Sequence, residues 1–203
     1  MTDERKGDWC QTFTGRQYWP LDPRAEDIDP VDVAHHLSLI CRFTGACRVF
    51  YSVAEHSVHV SHVVERHLER TSMARGCGPI DRNLVLRALL HDGPEFMLND
   101  MSRPTKISVQ GYREIERMNW NAFCVRFGLA VADREGLIKQ ADDAMLLAEQ
   151  AALMAPPPVP WAPLEVPETM LADAHELLEM GEWGAEMAER KFLQRYEELT
   201  SDG

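Results

Sequence analysis

The stretch "LLHDGPEFMLND", Leu89 to Asp100, decides how this sequence is read. An apolar run ends in His91 and Asp92, Gly93 and Pro94 interrupt it, and Glu95 and Asp100 follow within a few residues. Glycine loosens the backbone and proline removes a donor N–H, so together they stop a helix. His91 and Asp92 therefore stand at a helix end, with Pro94 suited to open a short new one. A structural core helix has no use for so many ionisable groups, because each charge taken out of water costs free energy. A metal ion would give them a reason.

Two distant segments supply further ligand types in helical settings: "AEHS" with His56, and "KQADD" with Asp142 or Asp143. Two imidazoles and two carboxylates make a mixed nitrogen and oxygen set. Such a set suits one divalent transition metal per chain, Mn, Co, Zn, Fe or Ni, better than Ca, with Mg a poorer match. Consecutive helical residues are rotated by about 100°, so only one of Asp142 and Asp143 can face an ion. Glu95 is close enough in sequence to His91 and Asp92 to orient or deprotonate a water activated by that ion.

The surrounding pattern is helical. Val33, Leu37, Ile40 and Cys41 share one face of a helix that Pro30 can open and that should end near Phe43, before Gly45. Ser52 and Glu55 read as a capping box for a second helix running to about Arg70, with "TSMARGCGP" as the loop after it. Asp81 caps "NLVLRALLHD". Further helices are expected over roughly Tyr112 to Phe127 and Arg134 to Met154, the first ended by Gly128 and the second by "APPPVPWAPLEVP". The proline-rich segment should be a loop packed through Trp161. Residues 1–29 form an extension with little regular structure beyond a short hairpin at Thr14-Gly15, 30–155 a helical core, 156–167 the loop, and 168–203 two helical pieces, broken near Gly181 and Gly184, packing on the core. The fold class is all-α.

Composition bounds the function. With 203 residues and 45% hydrophobic content there is enough chain for one sizeable domain. A net charge of -12 argues against a nucleic-acid polymer as partner, so any anionic ligand must meet local positive charge. The five cysteines include no C-x-x-C pair, which gives neither a disulfide framework nor a thiolate zinc site and fits a reducing, cytoplasmic setting. "MTDERKGDW" lacks an apolar core, and no apolar run is long enough to span a bilayer, so neither secretion nor a membrane is expected.

Taken in order, "LICRF", "YSVAEHS", "LLHDGPE", "LNDMSRPTK" and "IKQAD" resemble segments of the HD-domain metal phosphohydrolases, in particular the group of bacterial and phage 5′-deoxynucleotidases and deoxynucleotide triphosphohydrolases. The likeness covers about Asp32 to Met154. It implies an HD-domain helical bundle with the metal between helices, held by His56, His91, Asp92 and Asp142, with Glu95 acting on the water. It further implies that Arg42 and Lys106 hold phosphate oxygens, that Phe43 lines the nucleoside pocket, and that Asp100 faces the sugar or the scissile ester. The activity implied is phosphate release from deoxynucleoside 5′-monophosphates, with triphosphate release from deoxynucleoside triphosphates as the alternative and a nucleotide-binding regulatory module as the non-enzymatic one. Phe43 departs from the Arg-Trp pair of some members, and Gly93-Pro94 from their small helix-forming residues. Alarmone hydrolases resemble a pattern with Glu-Asp after the His-Asp pair, whereas Phe96 follows Glu95 here. His59 and His62 read as surface or partner-facing residues, Arg48 and Arg103 as solvated loop cations, and the last helix as an amphipathic surface or dimer helix.

Overall fold

The computed structural model describes residues 4–76, 78–129, 136–181 and 183–201. Among these the architecture is mainly α: α1 (Pro30–Leu39), α2 (Val53–Arg75), α3 (Arg82–Leu89), α4 (Glu95–Leu98), α5 (Arg103–Ser108), α6 (Tyr112–Phe127), α7 (Leu137–Leu153), α8 (Glu168–Glu179) and α9 (Ala185–Thr200), preceded by one small hairpin. The start expected for α7 at Arg134 lies outside the described residues, as does Cys77 in the loop after α2. None of the helices is long and apolar enough to cross a membrane among the described residues.

The centre of the fold is α2. It packs against α1, α3, α7, α8 and α9, so its first turns meet protein on every side. A helix buried all round is normally apolar all round. Here Val53, Ala54, Val58, Val60, Val63 and Val64 are interleaved with Glu55, His56, Ser57, His59 and Ser61, and all are buried. Buried polar groups need partners or a function. The expectation that His59 lies at the surface is therefore corrected: it is 1% exposed, its ring 4.9 Å from that of Trp183, because α8 and α9 close over this face of α2. Burial, the largest influence, pushes its imidazole down to about 3.

Local chemistry sets the helix ends. Asp29 accepts the Val31 N–H at the start of α1, with Pro30 in the first turn. That helix does not reach Phe43. Ile40 turns extended, Cys41 bridges to Ser52, and Phe43 and Thr44 take left-handed backbone angles, since strand-like pairing with Tyr51 to Val53 outcompetes another helical turn. Ser52 accepts the Glu55 N–H, as a cap should. The other half of the expected capping box is spent elsewhere, for Glu55 Oε1 accepts the backbone N–H of Trp183 at 3.2 Å. Residues 71–75 extend α2 beyond the expected loop start, up to Gly76, whose left-handed geometry caps it. Six-residue α5 escaped periodicity altogether; Pro104 in its first turn was its only mark.

Gly93 is required by space. A Cβ there would sit 2.4 Å from Phe123 Cε1 and 2.9 Å from the Leu90 carbonyl oxygen, in the buried cluster of Phe96, Phe123 and Phe127. Gly93→Ala should lower stability by about 1–3 kcal/mol through overpacking, read as a lower denaturant midpoint; an unchanged midpoint would contradict it. The hairpin of Cys10–Gln11 and Gln17–Tyr18 is tied down rather than loose. Tyr18 is buried and donates to Asn119 Oδ1 at 2.5 Å, and Thr14 donates twice to Asp32 of α1. The loop residue Trp161 stays 40% exposed, facing the Phe43 ring at 6.4 Å instead of entering the core.

Candidate metal centre

Three elements deliver the ligand-type residues to one place. The second turn of α2 brings His56; the turn that ends α3 brings His91 and Asp92; the second turn of α7 brings Asp142. One ligand atom each from His56, His91 and Asp142 lie within 4.8 Å of one another. Asp92 flanks them, its Oδ2 standing 3.3 Å from His91 Nε2 and 3.7 Å from His56 Nε2. Asp143 is not among these converging atoms; it pairs with Lys139, whose ammonium also reaches Asp142.

The imidazoles carry the clearest sign of what the cluster could hold. His91 Nδ1 lies 2.7 Å from the Ala88 carbonyl oxygen, which fixes it as the donor and turns Nε2 towards the cluster. His56 Nδ1 lies 2.5 Å from Glu149 Oε1, so it too is the donor and Nε2 is the atom facing the cluster. Both Nε2 atoms are buried with no hydrogen-bond partner among the described residues. His56 Nε2 is 3.3 Å from Asp142 Oδ1, near in distance yet not aligned as a hydrogen bond. A histidine whose outer nitrogen is held by a carboxylate or carbonyl while its inner nitrogen faces carboxylates is the arrangement of a metal ligand. The residues thus fit a divalent ion.

Electrostatics agrees. Against burial, which alone would raise them, the neighbouring imidazoles hold the carboxyls of Asp92 and Asp142 below their ordinary range. His56 is pushed up to about 9: burial and Arg42 oppose its proton, but Glu149 and Asp142 outweigh them. A pocket that pulls a proton onto a buried imidazole is short of positive charge, which a cation would supply. Burial, then the charges of Asp92 and Asp100, push Glu95 well above the carboxylate range, and its Oε2 is buried without a partner among the described residues. Asp100 is raised as well, chiefly by burial, and follows Asn99, whose φ of 61° turns the chain out of α4.

The residues assigned to phosphate are engaged with protein. Arg42 is buried and its Nε and Nη2 donate to Glu149 Oε2 at 3.2 and 3.0 Å, with Nη1 3.6 Å from Asp92. Lys106 Nζ pairs with Glu116 at 2.6 Å. Phe43 lies beneath the Arg42 guanidinium at 5.2 Å. Glu149 is the residue that sequence reasoning missed: fully buried, it receives Arg42, Tyr51 and His56 together. Its signal was a lone carboxylate in the apolar run "AMLLAEQAAL", seven residues and two turns beyond Asp142. A cavity of about 190 Å³ adjoins the centre, lined by Arg87, His91, Trp120, Ile138, Lys139 and Asp142.

No family model matches the chain. It is 27% identical over 193 residues to the uncharacterized protein YfdR of Escherichia coli K12, covering 95% of this chain and 96% of that one. It is 38% identical over 152 residues to the uncharacterized protein RCAP_rcc00048 of Rhodobacter capsulatus, 71% of this chain and 73% of the relative. At that identity and coverage, the chain belongs to the family of the Rhodobacter capsulatus protein.

Proposed function

We propose that this chain is an HD-domain metal phosphohydrolase that releases phosphate from deoxynucleoside 5′-monophosphates. The observation that carries the proposal is the pair of buried imidazoles whose Nε2 atoms converge on Asp142 and Asp92, with a buried, unbonded carboxyl oxygen of Glu95 nearby in the chain. A divalent ion held by His56, His91, Asp142 and Asp92 would withdraw charge from a phosphate oxygen and acidify water. The protein's own share is positioning and proton handling. Glu149 and the Ala88 carbonyl hold the two imidazoles in the tautomer that ligation needs. Glu95, whose proton is held by burial and by the Asp92 and Asp100 charges, would be ionised once a bound cation offsets those charges. It would then take one proton from the attacking water and return it to the ester oxygen. As the water oxygen bonds to phosphorus the phosphorus–oxygen ester bond breaks, the nucleoside leaves as its 5′-hydroxyl, and the second water proton stays on the phosphate. Asp100 shares the same field as Glu95, Asp92 and Arg42.

The test is a panel of ribo- and deoxynucleoside mono-, di- and triphosphates assayed with Mn, Co, Zn and Mg, with products separated by chromatography. Inorganic phosphate from a deoxynucleoside monophosphate is the expected result. Intact triphosphate from a deoxynucleoside triphosphate, with the monophosphate untouched, would replace the monophosphatase by the triphosphohydrolase; no turnover with any metal would leave a nucleotide-binding module. In the active protein, Glu95→Gln should keep the metal and lose roughly 10²- to 10⁴-fold in rate, the range for a general acid or base. Full activity in Glu95→Gln would remove Glu95 from the mechanism.

A further inference from the structure

Arg87 lies in the last turn of α3, four residues before His91, and both side chains line the 190 Å³ cavity beside the metal centre. Its guanidinium stands over the Trp120 ring, 5.6 Å from the centroid. A stacked surface arginine usually turns its nitrogens to water. Arg87 does not: Nε and Nη1 are shielded from solvent and meet no hydrogen-bond partner among the described residues. Leaving charged donors unbonded in a buried place is among the costlier arrangements in a protein. The other cations near the centre are occupied, Arg42 by Glu149, Lys106 by Glu116, and Lys139 by Asp142 and Asp143.

We propose that Arg87, beside the Trp120 ring, is the anchor for a tetrahedral oxyanion in this cavity, so that the ligand approaches the metal centre from the α3, α6 and α7 side rather than from Arg42 and Phe43. The fork of a guanidinium matches two phosphate oxygens at once, and the cation–π contact with Trp120 keeps the side chain at the cavity. Asp142 and His91 form the inner wall of the same cavity, which places the bound anion between the arginine and the metal ligands. In a chain of net charge -12 this is a local cation whose Nε and Nη1 have no hydrogen-bond partner among the described residues; shielded from solvent as they stand, they reach an anion by rotation of the guanidinium towards the cavity. The identity of the anion as the phosphate of a phosphomonoester rests on the phosphohydrolase reading; the anion subsite does not.

Binding of inorganic phosphate to the metal-loaded chain, followed by calorimetry and by indole fluorescence with Trp120→Phe as the control for the reporting ring, tests the subsite without any turnover. Arg87→Met keeps the apolar stem over Trp120 and should weaken phosphate roughly 10- to 100-fold, as expected for lost charge-assisted hydrogen bonds, with metal content unchanged. Arg87→Lys should recover part of the loss. Equal affinity in wild type and Arg87→Met, or no phosphate binding by the wild type, overturns the subsite. Phosphate binding that depends on Arg87 in a chain that hydrolyses no phosphate ester would keep the subsite and overturn the phosphohydrolase instead.

Discussion

Replacing His91 by alanine should reduce bound divalent transition metal from about one ion per chain to background. His91 is one of only two nitrogen ligands in the cluster, and its Nε2 is presented by the Ala88 carbonyl with no freedom to flip. Without it the site is left with one imidazole and partly buried carboxylates, a set that no longer selects a borderline metal over Mg or Ca. Asp142→Ala should do the same, because Asp142 Oδ1 faces His56 Nε2 at 3.3 Å. Asp143→Ala should retain most of the metal, with at worst the roughly 10- to 100-fold loss of a residue acting through its neighbours, since Asp143 is not among the residues whose ligand atoms converge. Elemental analysis and chelator competition measure this directly. Thermal unfolding gives an independent readout: a ligand at 100 times its Kd stabilises the folded state by about 2.7 kcal/mol. Wild type and Asp143→Ala should therefore lose melting temperature on chelation, while His91→Ala and Asp142→Ala should show no shift. A full metal complement in His91→Ala would dissolve the centre.

The separation of Asp142 from Asp143 also shows what the sequence made legible. A 100° step on a helix is a geometric fact that needs no tertiary structure, so the sequence could say that one of the pair turns inward. Helix existence was legible for the same kind of reason: Gly128, Pro30, Ser52 and Asp81 act on adjacent backbone groups, and α6 runs over the expected Tyr112 to Phe127. What failed depended on partners distant in the chain. Cys41 left its helix to bridge Ser52, and His59 was buried by Trp183, more than a hundred residues away. Arg42 stayed near the centre as expected, but its main partner, Glu149, lies 107 residues on and appears in no local pattern. Arg87 and Glu149 had one faint mark in common, a charge inside an apolar helical run, "LVLRALL" and "LLAEQAAL". In a segment with that pattern a charge must be buried or paired, and only the fold says with what.

Glu149→Ala should produce the largest loss of stability of any single substitution at the centre. The carboxylate is 0% exposed and holds three groups: the Arg42 guanidinium at 3.0 and 3.2 Å, the Tyr51 hydroxyl at 2.9 Å and His56 Nδ1 at 2.5 Å. Removing it leaves Arg42 buried with Asp92, at 3.6 Å, and the charge of Asp142 as its remaining compensation among the described residues, and breaking a buried pair from one side costs about 3–5 kcal/mol. It also frees the His56 ring to change tautomer, so metal affinity should fall by a further 10- to 100-fold, roughly the effect of losing such an orienting carboxylate. The two losses can be separated. Arg42→Met combined with Glu149→Leu replaces both charges by apolar groups and should recover much of the folding stability, because no charge is left stranded, yet it should not recover the metal, because His56 Nδ1 still lacks its acceptor. The pH dependence has a definite sign. Against burial, which raises it, Arg42 and His56 hold the Glu149 carboxyl below its ordinary range, so its contribution is complete above the unfolded value of about 4.3 and is lost as the pH falls through the lower, folded one. Wild type should accordingly lose its stability margin over Glu149→Ala in acid and keep it at neutral pH. A margin that is the same at both pH values would mean that Glu149 acts through packing and not through charge.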